Sequence, residues 1–595
     1  MSNPDNASPS THASVTTDAN KGAPLADSVH FGTDGWRAII GKDFNPTTVA
    51  RVADGAARVF KRHHHSSTEN TTSNAAAKVA PTNQADEMSE AAEKSEAAEP
   101  PLIFIGYDCR LDAKRYAALA ATVVASHGFD VIVSDRYCPT PALCWTIARN
   151  RQAVGGLMLT SSHNPAEYLG IKLRMKDGGA SPKEFTDEVE AALIDEPPSC
   201  FEEALEAFAA TRDDESKASN SPLLSDLDDE TPTRTSHAQA VGAPASRVQF
   251  ADIMKAYLAA LMTMVDHQAI AKARLRVVVD PLFGAGRGYL ATMLSQLGVE
   301  VAEVNGEADP TFNGLHPEPI PPWIHVGAEK VVEGGFDACF VTDGDADRIG
   351  AIDDTGTYVS SHRVLALIIG HLVEGRGQTG RVIRTQAGSN LLRRQCDRLG
   401  LVLTTKPIGF KWIYEEMLRG DVLIGGEESG GMGIPSHVHE RDGLLMALML
   451  TELMAQKGKG LRELVDEMLA TLGTLEYARR DLRLTPEQKD ALLVTHIQTA
   501  DRTNRQTGIQ AAEGAVEGEG DDALATAAYR KLFTALGEEL VSVERTDGIK
   551  FILASDGWLL IRPSGTEPLV RVYAEATSAP QVEALLNTGC ALAQG

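Results

Sequence analysis

The chain has 595 residues, 43% of them hydrophobic, and 82 acidic against 56 basic side chains give a net charge of −26. That length exceeds what one core can serve and implies several domains. The acidic balance argues against non-specific binding to nucleic acid or an anionic membrane, while leaving room for an anionic substrate in a local cationic pocket.

Four stretches are too polar to repay chain ordering and read as disordered: a tail over 1–28 and surface insertions over 62–100, 211–247 and 505–522. The tail has no apolar stretch and does not read as a signal peptide, and no apolar run is long enough to cross a bilayer. Seven scattered cysteines form no CxxC pair and read as reduced thiols. The expectation is a soluble, cytoplasmic protein that engages neither membrane nor nucleic acid. His63, His64 and His65 lie in the first insertion and read as a solvated tract.

Between these stretches, strand-like runs alternate with segments of helical composition. The runs are "LIFIGYD" (102–108), "DVIVSD" (130–135), "VGGLMLT" (154–160), "LRVVVDP" (275–281), "VEVAEVN" (299–305), "DACFVTD" (337–343), "GRVIRT" (380–385) and "DVLIGGEE" (421–428). Such alternation predicts α/β domains in series, with mixed or parallel sheets. The end of the chain differs. "GIKFILASDGWLLIRPSG" reads as a hairpin turning at Asp556-Gly557, and "PLVRVYAEA" as a further strand, which makes an α+β module.

Four polar motifs follow strand-like runs, where sheets of this kind hold ligands. In "TSSHNP", Ser162 can take a phosphoryl or acyl group with His163 beside it; an ordinary Ser/Asn-Pro turn is the alternative. In "DGDADRIG", Asp343, Asp345 and Asp347 repel one another unless a hard cation such as Mg²⁺ lies between them. An EF-hand does not fit, because Arg348 and Asp354 stand where glycine and glutamate belong. In "GGEESGGMG", Glu427 and Ser429 among glycines suit sugar hydroxyls. In "IRPSGTEP", Arg562 with Ser564, Gly565 and Thr566 suits a phosphate. The set describes phosphoryl transfer on a phosphorylated sugar.

With "FGTDGWRAIIG" (31–41) added, these motifs resemble, in content and order, the signature loops of the α-D-phosphohexomutases, the phosphoglucomutase and phosphomannomutase superfamily. The resemblance implies four domains around a central cleft: domain I over 29–200, a linker helix and acidic insertion over 201–249, domain II over 250–357, domain III over 358–478 and domain IV over 479–595. It implies that Ser162 is phosphorylated and exchanges that group with a hexose phosphate through a bisphosphorylated sugar. Mg²⁺ on Asp343, Asp345 and Asp347 would also touch Ser162, and glucose 1,6-bisphosphate would serve as activator. Arg37 and Arg348 would neutralise the phosphoryl group, and Lys172 would shuttle the hydroxyl proton if its surroundings move its pKa. Gly409, His437, Arg441 and Arg571 are expected among the substrate contacts. Gly431, where some bacterial phosphomannomutases carry histidine, and Glu428, where glucosamine-phosphate mutases usually carry glutamine, favour glucose. The expected reaction is the interconversion of glucose 1-phosphate and glucose 6-phosphate, with phosphomannomutase or dual specificity as the alternative. The expected assembly is a monomer or weak dimer.

Overall fold

Each apolar run marked in the sequence folds as a strand, within two residues of its expected bounds. The computed structural model describes residues 29–32, 34–76, 100–212, 247–485, 488, 521–563 and 569–594. The tail and most of the three insertions lie outside them.

Four sheets form in series. The first joins β1 (Trp36–Ile39), β2 (Leu102–Tyr107), β3 (Asp130–Ser134), β4 (Ala153–Leu159), β5 (Tyr168–Met175) and β6 (Val248–Ala251) in the order β1-β5-β4-β2-β3-β6. The second joins β7 (Arg276–Asp280), β8 (Glu300–Glu303), β9 (Ala338–Thr342), β10 (Ile349–Asp353) and β11 (Tyr358–Val359) in the order β11-β10-β9-β7-β8. The third joins β12 (Arg381–Thr385), β13 (Leu403–Lys406), β14 (Val422–Gly426) and β15 (Met432–Gly433) in the order β13-β12-β14-β15. These three have a parallel core, as the helix-alternating pattern requires. The fourth joins β16 (Glu476–Arg483), β17 (Leu540–Glu544), β18 (Ile549–Leu553), β19 (Trp558–Pro563) and β20 (Leu569–Ala576), all antiparallel, in the order β16-β20-β19-β18-β17.

One topological detail repeats in all four sheets. Each motif follows a strand that turns straight back: β4 into β5, β9 into β10, β14 into β15 and β19 into β20 pair antiparallel. The loops after β4, β9 and β14 are therefore hairpin tips, each held by a strand on both sides, and the fourth motif falls between two strands that pair antiparallel.

Two boundaries expected from composition are also corrected. The helix over Pro46–Ala76 runs on into the supposed disordered insertion, carrying His63 against Glu188 at 3.1 Å. The helix Phe201–Ala210 is not a linker: it packs on the helix Ala113–Ser126, and β6 then pairs parallel with β3. Residues 201–212 and 247–251 thus complete the first unit.

The helix Gly443–Lys457 is apolar on every side, and residues 443–454 are all buried. Such a helix has to sit inside a core. It packs against β9, β10 and the helix His267–Ala273, so the second and third units share one hydrophobic cluster. The fourth sheet has a core of its own on its helix-covered face and meets the third unit through a small seam of Ala387, Ile408, Trp558, Leu560 and Tyr573. No helix among the described residues is long and apolar enough to cross a membrane.

Candidate active site

Ser162 is fully buried and left-handed, with φ of 51°. For a side chain with a Cβ that conformation costs about 1–2 kcal/mol, so its surroundings have to impose it. The Ser162 amide donates to Thr160 Oγ1 at 2.8 Å, and Thr160 Oγ1 donates to Asp108 at 2.6 Å. Arg110, held by Asp108 at 3.1 Å, donates to the carbonyls of Ser162 (2.7 Å), Asn164 (2.6 Å), Pro165 (2.7 Å) and Tyr168 (2.9 Å). One guanidinium therefore shapes the whole tip. Burial pushes the Asp108 carboxyl up to about 6 in spite of Arg110. Sequence reasoning missed both residues; the signal was the "DCR" that closes the apolar run of β2.

The strained turn aims Ser162 Oγ across the domain boundary, where it donates to Asp343 Oδ2 at 2.8 Å. His163 Nδ1 stands 3.4 Å from the same Ser162 oxygen. Burial, then the charges of Arg348 and Arg37, holds the His163 imidazole well below its ordinary pKa and so neutral. Arg37 donates to Asn164 Oδ1 at 2.6 Å.

Asp343, Asp345 and Asp347 have no exposed surface, and one carboxylate oxygen of each lies within 4.8 Å of the others. They are the one such group of three among the described residues. The loop is fixed from three directions. The Thr140 amide donates to the Asp345 carbonyl at 3.0 Å, the Gly443 amide to the Ala346 carbonyl at 3.1 Å, and Arg348 bridges to Gly431. Gly344 makes the closest approach: a Cβ there would overlap the Ser162 carbonyl oxygen. The Oδ2 atoms of Asp345 and Asp347 have donors, from Thr140 (2.6 Å) and Lys172 (2.8 Å) for the first and Lys172 (3.1 Å) and Arg441 (2.7 Å) for the second. Their Oδ1 atoms are buried with none. Burial, then the neighbouring Asp347 and Asp345, pushes the Asp343 carboxyl well above its ordinary range. Orphaned buried carboxylate oxygens are costly, and a hard divalent cation would satisfy them. The residues fit a metal site.

Lys172 is buried and paired with Asp34 at 2.8 Å as well as with Asp345 and Asp347. Burial alone would lower its pKa, but these three carboxylates outweigh it and raise it. In this arrangement the three carboxylates hold Lys172 as an ammonium. Arg441, expected on the substrate, is instead saturated by Asp34 (2.5 Å), Asp347 (2.7 Å), Glu440 (3.1 Å) and Glu427 (3.3 Å). Gly431 leaves it room, since a Cβ there would overlap Arg441. Arg174 completes this brace between Asp34 and Glu440. His437 is likewise not brought to the cleft. Its ring meets Asp442 at 3.1 Å, and Asp442 accepts from Tyr257 at 2.9 Å and caps the helix Gly443–Lys457.

Glu427 is buried, and burial pushes its carboxyl up to about 7 in spite of Arg441. Glu428 accepts from Thr385 at 2.8 Å, and Ser429 is half-buried beside it. Toward them lies the face of the fourth sheet that its own helices do not cover. Cross-strand partners share a face, and the register puts Tyr477, Arg479 and Asp481 of β16 beside Glu575, Tyr573 and Arg571 of β20 and Trp558, Leu560 and Arg562 of β19. Arg562 pairs with Asp547 at 2.9 Å, and Asp547 accepts the Ile408 amide at 2.9 Å, next to the left-handed Gly409 (φ 124°). Ser564, Gly565 and Thr566 lie outside the described residues. Arg479 was missed because "EYARRDLR" has no apolar alternation.

The chain matches the models for phosphoglucomutase/phosphomannomutase alpha/beta/alpha domains I, II and III over residues 78–198, 255–356 and 360–472, and for the C-terminal domain over 510–588. It is 30% identical over 499 residues to a phosphoglucomutase/phosphomannomutase of Thermococcus kodakarensis, covering 84% of this chain and 91% of the relative. It is 25% identical to a phosphoglucosamine mutase of Carboxydothermus hydrogenoformans, covering 94% and 97%. A solved structure of a phosphomannomutase candidate from Thermus thermophilus superposes with a TM-score of 0.69 at 28% identity, over 95% of this chain and 99% of that one.

Proposed function

The chain belongs to the phosphoglucomutase/phosphomannomutase family of isomerases, and from that premise we propose that it interconverts glucose 1-phosphate and glucose 6-phosphate through a phosphorylated Ser162. The observation that carries the reading is the Ser162 hydroxyl, forced by a left-handed turn to within 2.8 Å of Asp343 in a buried, cation-lined site. Phosphoryl transfer asks for alignment and charge neutralisation more than for covalent help.

In the forward half-reaction an oxygen–phosphorus bond forms to a sugar hydroxyl as the one to Ser162 Oγ breaks. The hydroxyl proton needs an acceptor, and the neutral imidazole of His163, with Nδ1 3.4 Å from Ser162 Oγ, is the group assigned to take it. Lys172 holds protons on the metal-loop side and stabilises the negative charge there. Asp343, Asp345 and Asp347 would hold Mg²⁺, which would supply the charge neutralisation that three buried carboxylates cannot. Arg37 and Arg348 bring further positive charge. Glu427 and Ser429 bind sugar hydroxyls, and Arg562, Arg571 and the 564–566 loop bind the phosphate that is not moving. The bisphosphorylated sugar turns over and returns its other phosphate to Ser162, and free glucose 1,6-bisphosphate primes the serine.

Glucose is favoured over an amino sugar by the pair Glu427-Glu428, and mannose 1-phosphate is the second substrate to test. A coupled assay with Mg²⁺ and glucose 1,6-bisphosphate, run on glucose, mannose and glucosamine phosphates, decides the sugar. A clear preference for glucose, lost on chelation and restored by Mg²⁺, is the expected result. Preference for mannose or glucosamine would reassign the substrate, and release of free phosphate without isomer would overturn the mutase reading.

A further inference from the structure

The cleft's cationic side contains an anion that the catalytic scheme does not use. Glu318 lies on the loop between Leu315 and Pro322, and its side chain is 10% exposed. Its carboxylate faces three basic groups: His316 Nδ1 at 3.8 Å, Arg348 Nη1 at 3.9 Å and Arg479 Nη1 at 3.9 Å. Each of these separations is too long for a hydrogen bond. Other well-shielded ion pairs close to contact, as in Arg441–Asp347 (2.7 Å), Arg381–Glu416 (2.8 Å) and Arg562–Asp547 (2.9 Å), while separations near 3.9 Å recur at more exposed pairs such as Arg571–Asp481. The Arg348 guanidinium repeats the pattern from its other partners, at 3.9 Å from both Asp343 and Asp347, with a buried Nε that has no acceptor. Arg479 is steadied separately by Asp481 at 3.1 Å. Among the described residues, Glu318–Arg479 is also the one ion pair that joins the second unit to the fourth sheet.

We propose that Glu318 is a built-in competitor for the substrate's phosphate: it occupies the field of Arg348 and Arg479 when the cleft is empty and repels the phosphate that replaces it. This rests on the phosphohexomutase reading of the cleft. A guanidinium left just short of its carboxylate keeps its fork available for a tetrahedral oxyanion. A carboxylate left beside the bound phosphate weakens the grip at each end of the sugar, and the bisphosphorylated intermediate has to be released at both ends before it can turn. Glu318 therefore lowers ground-state affinity and speeds the exchange, which makes it a positioning residue rather than a catalytic one.

The test uses inorganic phosphate as the probe, titrated by calorimetry into the full chain with Mg²⁺. Glu318→Gln is expected to lower the phosphate Kd by about fivefold or more, because a like charge is removed while the shape is kept. With hexose phosphate it lowers KM and kcat together, a split that simple loosening of the fold does not give. In an Arg479→Gln background the same change is expected to alter the phosphate Kd by less than about twofold. Should the glutamine variant misfold, Glu318→Asp, which withdraws the charge by one methylene, is expected to tighten phosphate in the same direction. An unchanged or weaker phosphate affinity in the folded variant, or the full gain persisting without Arg479, would overturn the proposal. Because the phosphate Kd is read without turnover, an error in the sugar assignment would alter the kinetic assays and leave this measurement intact.

Discussion

Arg441 and Arg348 approach the same aspartate on different oxygens: Arg441 reaches Asp347 Oδ2 at 2.7 Å, and Arg348 stands 3.9 Å from Oδ1. Arg441 has three further carboxylates, and burial is outweighed by Asp347, Asp34, Glu440 and Glu427, which raise its pKa well above the ordinary value. Arg348 lies among carboxylates and bonds none of them through its guanidinium. The two residues have the same chemistry in the same cleft, yet one is bound on every side by carboxylates and the other stands 3.9 Å from each of its partners, as the proposed anion site requires. Distance to the nearest carboxylate, not residue type, separates the brace from the binding surface.

The comparison can be broken experimentally. Ser162→Ala should reduce mutase turnover by about 10⁴-fold or more, because the phosphoryl acceptor that both sides serve is gone; steady-state assays and loss of label from a phosphorylated substrate read this. Arg348→Met should lower kcat by about 10²–10³-fold with an unchanged melting temperature. Arg441→Met should instead destabilise the fold by about 3–5 kcal/mol, since Glu427 would lose its ion-pair partner and Asp34, Asp347 and Glu440 would keep only Lys172 or Arg174 against their buried charge. A stability loss for Arg348→Met as large as that for Arg441→Met would remove the distinction. Gly344→Ala should cost about 10–100-fold in kcat, because the added Cβ displaces the Ser162 backbone from its alignment.

The smallest effect concerns Glu427, whose carboxyl burial pushes up to about 7. Below that pH it carries a proton and no longer accepts freely from a sugar hydroxyl, so KM should rise a few-fold from pH 8 to pH 6. The glutamine variant should lack this inflection. The stability contribution runs the other way: a raised carboxyl favours the protonated fold, so it is fully present below the unfolded value and lost as pH rises through about 7. Melting curves across that range should therefore fall as KM improves.

Much of the fold was legible where burial dictates composition. The apolar runs of β2, β4, β7 and β9 could only be interior strands, and Asp556-Gly557 marked its hairpin. β16 was illegible because an edge strand needs backbone partners on one side only, and its cleft-facing positions carry Arg479 and Asp481. The helix beyond residue 61 was hidden by a polar composition that gives no apolar stripe to follow. At the site, Ser162 and the three aspartates were legible because self-repelling or nucleophilic residues at strand ends have few bland uses. Asp108 and Arg110 were not, since their role is to hold other residues' carbonyls, which no local pattern reveals. His437 and Arg441 follow the motif proposed to bind sugar, but they pack against Tyr257 and Asp34 contributed by distant segments.

The sequence by itself determined the polar motifs, the serine proposed as nucleophile, the acidic triplet and the family, because those properties live in short runs whose chemistry is fixed by residue type and spacing. Only the tertiary structure decided which charges are free to bind. Whether an arginine is saturated, as Arg441 is, or left short of its partners, as Arg348 is, depends on carboxylates that arrive from distant parts of the chain, and Coulomb energy depends on that separation in space rather than along the chain.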